Sequence, residues 1–147
     1  MKTLPSVEAN VLLVDDNRDG LLVRRALLQE QGFRVQMAQN GEEGLKLFDS
    51  ITFDVVVTDY RMPKMSGMEL IGHLRKRNPR VRIVLLSSLV EALGLNEENT
   101  GADAVVAKNS NEPAHLLRSV RRLATAPARK PVRSQARLAS RMKIAVS

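Results

Sequence analysis

The segment Val11-Leu-Leu-Val-Asp-Asp-Asn17 joins an unbroken apolar run to a pair of aspartates. A run without polar alternation is typical of a strand that is buried on both faces of a parallel sheet. Three more apolar runs in the chain lead to a polar or charged residue in the same way. These runs are Val55 to Val57 before Asp59, Ile83 to Leu86 before Ser87, and Ala104 to Ala107 before Lys108.

Helical patterns lie between the apolar runs, so the chain alternates β and α segments. Strands are predicted over residues 10–15, 33–38, 54–58, 82–86 and 104–107, and helices over about 18–31, from 40 onward, and over 66–78, 89–98 and 111–124. Five such units predict an α/β fold, a doubly wound parallel sheet of five strands in the flavodoxin-like (βα)5 order 2-1-3-4-5. Gly94 interrupts the fourth helix at a cost of roughly 1 kcal/mol relative to alanine, so this helix is expected to be the weakest element.

Polar groups that follow parallel strands converge on one crevice at the carboxyl edge of the sheet. Asp15, Asp16 and Asp59 would repel one another there unless a hard cation lay among them, and ligation by oxygen alone suits Mg²⁺. A carboxylate in such a site can accept a phosphoryl group, while a metal ion and a side-chain cation neutralise the transferring oxygens. Lys108 would supply the cation and Ser87 a hydroxyl donor.

The same residues lie in motifs that resemble the receiver domain of two-component response regulators, the CheY-like superfamily. The resemblance covers about residues 8–124 and depends on several motifs that occur in the family's order and spacing. These are Val11-Leu-Leu-Val-Asp-Asp-Asn17, Asp59-Tyr-Arg-Met-Pro-Lys-Met-Ser-Gly67, Ile83-Val-Leu-Leu-Ser-Ser88 and Gly101-Ala-Asp103 followed by Lys108.

The resemblance implies a role for each candidate residue. Asp59 would be the phosphoacceptor, Ser87 the switch hydroxyl and Lys108 the contact to the phosphoryl group. The metal site would consist of Asp15, Asp16, Asp59 and the backbone carbonyl of Arg61. A sensor histidine kinase or a histidine phosphotransfer protein would phosphorylate the chain, which would then change its affinity for a downstream target. Enzymatic activity would be limited to self-catalysed phosphoryl transfer to Asp59 and hydrolysis from it.

Three positions depart from the family pattern. Asn109 replaces the proline that normally follows the lysine, and a trans peptide bond is expected there because a cis bond before a residue other than proline costs about 3–4 kcal/mol. Val105 occupies the position of the aromatic switch residue and cannot swing between two rotamers as an aromatic ring does. Serine replaces the commoner threonine at position 87. We therefore expect altered signal readout, with an order change around residues 88–100.

Other interpretations of these residues are open at the level of sequence. Asp15 or Asp16, taken singly, is more typical of a helix N-cap than of a metal ligand. An aspartate-nucleophile phosphohydrolase would use Asp15 as nucleophile, but that family has a second acid two residues later, where this chain has Asn17. A third possibility is a binding module that is not phosphorylated and acts through its basic tail.

Charge and composition divide the chain unevenly. Residues 1–124 hold 17 Lys or Arg and 16 Asp or Glu, whereas residues 125–147 add six basic residues and no acid. We predict a receiver domain over residues 1–124 and a basic tail over 125–147. The tail is interpreted as disordered and solvated, or alternatively as a basic helix that forms on a membrane, a nucleic acid or a partner. The absence of cysteine suits a cytoplasmic protein, and no apolar run is long enough for a membrane span or a signal peptide.

Overall fold

A computed structural model describes residues 9–125 of the chain. Its centre is one sheet of five parallel strands in the order β2-β1-β3-β4-β5, which confirms the predicted fold class and strand order. The strands are β1 (Asn10–Val14), β2 (Arg34–Ala38), β3 (Val55–Asp59), β4 (Arg82–Ser87) and β5 (Ala104–Ala107). All residues of β3 and β4 are buried, as expected for central strands that are covered on both faces.

Within the described residues, five helices lie between successive strands and a sixth follows β5. They are α1 (Arg18–Glu30), α2 (Gly41–Ser50), α3 (Gly67–Arg77), α4 (Val90–Leu93), α5 (Glu97–Thr100) and α6 (Glu112–Thr125). Side-chain caps begin α2 and α3: Asn40 accepts a hydrogen bond from the Glu43 amide, and Ser66 accepts one from the Glu69 amide. Each cap satisfies an amide that has no partner inside its helix.

The core has two layers, one on each face of the sheet. Alternate residues of β1 belong to different layers, since Val11 and Leu13 pack with α1 and α6, whereas Leu12 and Val14 pack with α2 and α3. Leu28 and Leu116 are fully buried in the first layer. Because both faces of the sheet are covered, polar groups can gather at the amino and carboxyl ends of the strands.

The prediction of one helix over residues 89–98 is wrong. Gly94 has φ +60° and ends α4 in the left-handed conformation, and Asn96 then caps the separate helix α5. A glycine reaches positive φ without the steric cost that other residues have. The segment is therefore two single turns, of which only Thr100 is buried.

Three further predictions concern the peptide bond before Asn109, membrane-spanning helices and the division of the chain into a domain and a tail. Residues 9–125 contain no cis peptide bond, so the trans bond expected before Asn109 is present. The same residues contain no helix that is long and apolar enough to cross a membrane. The division into a domain of residues 1–124 and a tail of 125–147 stays a prediction, because residues 1–8 and 126–147 lie outside the described residues.

Candidate functional site

The predicted site residues meet at the carboxyl edge of the sheet. Asp15 directly follows β1, Asp59 ends β3, Ser87 ends β4 and Lys108 directly follows β5. Carboxylate oxygens of Asp15, Asp16 and Asp59 lie within 4.8 Å of one another. Three residues from two strand ends thus form one acidic group, as the convergence argument predicts.

Lys108 is a cation in direct contact with this group. Its Nζ lies 2.7 Å from Oδ1 of Asp59 and 3.7 Å from Oδ2 of Asp15. The backbone holds this lysine in register, because its amide donates to the carbonyl of Ser87 at 2.9 Å. The ammonium can therefore balance charge on the carboxylate of Asp59 and on any group that is attached to it.

Asp59 lies in an environment that disfavours its ionised form. Burial raises the pKa of its carboxyl group, the neighbouring charge of Asp15 raises it further, and the contact with Lys108 acts in the opposite direction without cancelling the rise. A divalent cation among the three carboxylates would relieve both the burial penalty and the repulsion. The group is thus better suited to hold a cation than to remain without one.

Asp15 is buried and both of its oxygens have partners. The amide of Asn17 donates to Oδ1 at 2.9 Å, and Arg24 donates from Nη1 to Oδ2 at 2.8 Å. The N-cap of α1 is Asn17, whose side chain accepts from the Gly20 amide. The interpretation of Asp15 or Asp16 as the helix cap is therefore wrong, and Asp16 remains exposed beside the buried Asp15.

Ser87 is buried next to the acidic group. Its Oγ accepts a hydrogen bond from the amide of Leu89 at 2.9 Å, which orients the hydroxyl at the start of the loop after β4. A hydroxyl that accepts in this way still carries a proton to donate. Ser87 therefore keeps a hydrogen-bond donor at the end of β4, the strand that pairs with β3.

Arg24 and Glu112 belong to the site, although no motif indicates them. Arg24 donates from Nη2 to Oε1 of Glu112 at 2.8 Å and from Nε to Oε2 at 3.4 Å, so its guanidinium joins Glu112 to Asp15. The one signal in the sequence is the position of Arg24, three residues after Leu21 and four before Leu28, on the buried face of α1. An arginine on that face needs an acidic partner.

The roles predicted for Arg61, Val105 and Asn109 stay predictions. Arg61 lies exposed in the loop after β3, and the role of its carbonyl in the metal site stays a prediction. Val105 is half-buried and packs with the layer that contains α2 and α3. Asn109 is exposed and its carbonyl accepts from the Glu112 amide at 3.0 Å, which links the lysine loop to the first turn of α6.

A family model of the response regulator receiver domain matches residues 11–121. The chain belongs to this family. The match includes all five strands apart from Asn10, together with the first ten residues of α6, and the acidic group with Lys108 lies at the carboxyl edge of the sheet.

Known proteins resemble this receiver domain over most of its length. The aerobic respiration control sensor protein ArcB of Escherichia coli is 32% identical over 114 residues, which are 76% of this chain and 15% of ArcB. A crystal structure of the response regulator protein TrrA from Thermotoga maritima, in complex with Mg(2+)-BeF, has a TM-score of 0.70 and 33% identity, and the match covers 78% of this chain and 98% of TrrA. The complex of histidine kinase ThkA with TrrA gives a TM-score of 0.70 and 34% identity, with 78% and 97% covered.

Proposed function

We propose that this receiver domain is the phosphoacceptor of a two-component phosphorelay and that Asp59 accepts the phosphoryl group. The observation that carries the proposal is the position of Lys108 Nζ, 2.7 Å from Asp59 Oδ1, beside an acidic group with oxygens within 4.8 Å of one another. A carboxylate nucleophile, a cation for the developing charge and oxygen ligands for a metal ion are the parts that phosphoryl transfer requires.

Each residue has a defined part in the proposed transfer. An oxygen of Asp59 forms a bond to phosphorus while the bond from phosphorus to the donor's imidazole nitrogen breaks, and the imidazole leaves. Lys108 balances charge on the transferred oxygens, and Ser87 donates a hydrogen bond to one of them. Asp15, Asp16 and Asp59, with the Arg61 carbonyl, would hold Mg²⁺, which when bound neutralises the phosphoryl oxygens.

The proposed donor is a sensor histidine kinase or a histidine phosphotransfer protein. The complex of TrrA with histidine kinase ThkA supports this choice, since TrrA resembles this chain over 78% of its length. Phosphorylation would change the affinity of the domain for a downstream protein target. A cytoplasmic location and a contact of the basic segment 125–147 with a nucleic acid or membrane remain predictions from composition.

The phosphohydrolase alternative has weaker support than the receiver function. It requires Asp15 to act as the nucleophile, but Oδ1 of Asp15 accepts from Asn17 and Oδ2 from Arg24. A buried carboxylate with both oxygens engaged is a poor nucleophile. Asp59 instead has Lys108 Nζ 2.7 Å from its Oδ1, compared with 3.7 Å from Oδ2 of Asp15, which favours Asp59 as the nucleophile.

The test is transfer of a radiolabelled phosphoryl group from a small phosphodonor with Mg²⁺. Wild type should acquire a label that hydroxylamine removes, as an acyl phosphate does, and Asp59→Asn should acquire none. The matched control is Asp54→Asn, which makes the same change at the other end of the same strand, where Asp54 accepts from the Asn10 amide. Equal labelling of Asp59→Asn and wild type would contradict the assignment.

A further inference from the structure

Arg24 forms an ion-pair bridge across the buried side of the acidic group. It joins Asp15, which follows β1, to Glu112, the first residue of α6, at 2.8 Å on each side. The exposed fractions of these side chains are only 11% for Arg24, 4% for Asp15 and 14% for Glu112. Charges so poorly hydrated interact more strongly than a surface pair does.

The backbone of α1 makes room for this bridge. A Cβ on Gly20 would lie 2.8 Å from Nη1 of Arg24 and 3.6 Å from Oδ2 of Asp15. Glycine inside a helix costs roughly 1 kcal/mol relative to alanine, and here it leaves the space that the guanidinium occupies. Gly20 and Arg24 thus act together, four residues apart on one face of α1.

The bridge engages the same carboxylate that a metal ion would need. Burial by itself would lower the pKa of Arg24, but the hydrogen bonds and charges of Glu112 and Asp15 outweigh burial and raise it, so the guanidinium stays charged. Arg24 occupies Oδ2 of Asp15, and the amide of Asn17 occupies Oδ1. A divalent cation that coordinates Asp15 must therefore bind a carboxylate that already contacts the positive charge of Arg24.

We propose that Arg24 is a positioning residue of the metal site, which competes with the divalent cation for the Asp15 carboxylate, and that Glu112 moderates this competition by holding Arg24 from the opposite side. The proposal rests on the proposed function, because it presumes that the acidic group binds Mg²⁺. Binding free energies are reciprocal, so a bound cation weakens the Arg24 contact as much as Arg24 weakens the cation. The first turn of α6 is thereby coupled to occupancy of the site.

The test compares Mg²⁺ dissociation constants of wild type and Arg24→Gln by calorimetry and by the emission of Tyr60. Tyr60 follows Asp59, is the one tyrosine in the chain, and has no tryptophan emission to mask it. Removal of a unit positive charge beside the cation should tighten Mg²⁺ binding about three- to tenfold. Arg25→Gln is the matched control, because Arg25 is the next residue of α1 and has no ion pair with the residues described, and its affinity should equal that of wild type.

Glu112→Gln lies on a different helix and is expected to change the Mg²⁺ affinity in the opposite direction to Arg24→Gln. With Glu112 neutralised, Arg24 has Asp15 as its remaining charged partner, and Mg²⁺ binding should weaken about two- to fivefold. The double variant should bind as tightly as Arg24→Gln, since Glu112 acts through Arg24. Additive effects in the double variant would overturn the role given to Glu112.

The outcomes separate the two proposals. If wild type shows no Mg²⁺ binding, both the proposed metal site and the competition fail. If wild type binds Mg²⁺ but Arg24→Gln binds it equally or more weakly, the competition alone is overturned. If Arg24→Gln does not fold, Glu112→Gln decides, and unchanged or tighter binding in that variant overturns the proposal.

Discussion

The carbonyl oxygen of Asp59 lies so close to Gly67 that a Cβ at position 67 would be 2.3 Å from it. The same Cβ would be 3.0 Å from the Cα of Tyr60. The Gly67 amide also donates to the Tyr60 carbonyl at 2.8 Å, so the first residue of α3 closes the loop that follows β3. The conformation of the loop after Asp59 thus depends on the absence of a side chain at Gly67.

We expect Gly67→Ala to lower the free energy of unfolding by about 1–3 kcal/mol, the usual cost of overpacking. The obstacle is backbone, which cannot rotate away as a side chain can. Gly72→Ala is the matched control in the same helix, because a Cβ there meets nothing within 4 Å. That variant should gain roughly 0.5–1 kcal/mol in urea denaturation. Equal stability changes in the two variants would contradict the steric argument.

The second prediction concerns pH and the metal-free protein. Burial raises the pKa of Asp59 in the folded state above its unfolded value. The folded protein then binds more protons than the unfolded chain between these two pKa values, so the contribution of Asp59 to stability falls as pH rises through that window. Above the folded-state pKa of Asp59, the folded protein bears the full free-energy cost of burying the ionised carboxylate. We therefore expect Asp59→Asn to melt at a higher temperature than wild type at about pH 8, with a smaller difference at about pH 4.

Thermal unfolding followed by circular dichroism in a chelator measures this difference. An Asp59→Asn variant that melts at or below the wild-type temperature at neutral pH would show that the ion pair with Lys108 outweighs burial. In that case the folded protein would stabilise the ionised carboxylate of Asp59 relative to the unfolded chain.

The third prediction separates the exposed acid from its neighbours. Asp16 belongs to the group whose carboxylate oxygens lie within 4.8 Å, and it does not cap α1. Asp16→Ala should weaken Mg²⁺ binding at least about tenfold, since even the loss of an outer partner of a metal site has an effect of that size. Asp19→Ala, in the first turn of α1, is the control and should bind Mg²⁺ like wild type. Unchanged affinity in Asp16→Ala would exclude Asp16 from the site.

The fourth prediction concerns residues 88–100. The single turns α4 and α5 bury only Thr100, so this segment can open at low cost. We expect hydrogen exchange of residues 88–100 to change when beryllofluoride and Mg²⁺ are added as a mimic of the phosphorylated state. Val105, which has no aromatic ring to reorient, should contribute little to the response. Altered protection on the β5 surface alone, with residues 88–100 unaffected, would contradict this prediction.

The sequence predicts β1, β3, β4 and β5 and their meeting point well because each of these four strands is an apolar run that leads to a polar or charged residue. It fails at residues 89–98, where Gly94 is expected to weaken one helix but instead ends α4 in the left-handed conformation and separates it from α5. Taken singly, Asp15 or Asp16 is typical of the cap of α1, but Asn17 caps this helix. Arg24 and Glu112 are 88 residues apart, and nothing local in either segment indicates their contact. Pairings of that kind depend on how α1 and α6 pack.

The direction of α6 has a practical consequence for experiments on the whole chain. The helix begins beside the acidic group and returns along the sheet for 14 residues, so Thr125 lies roughly 20 Å from that edge along its axis. A fluorophore or an affinity handle attached just after position 125 would therefore be anchored on the far side of the molecule from Asp59. Immobilisation through that position keeps the attachment point away from Asp59 and Lys108, so surface-based tests of the proposed phosphodonor can use the intact domain.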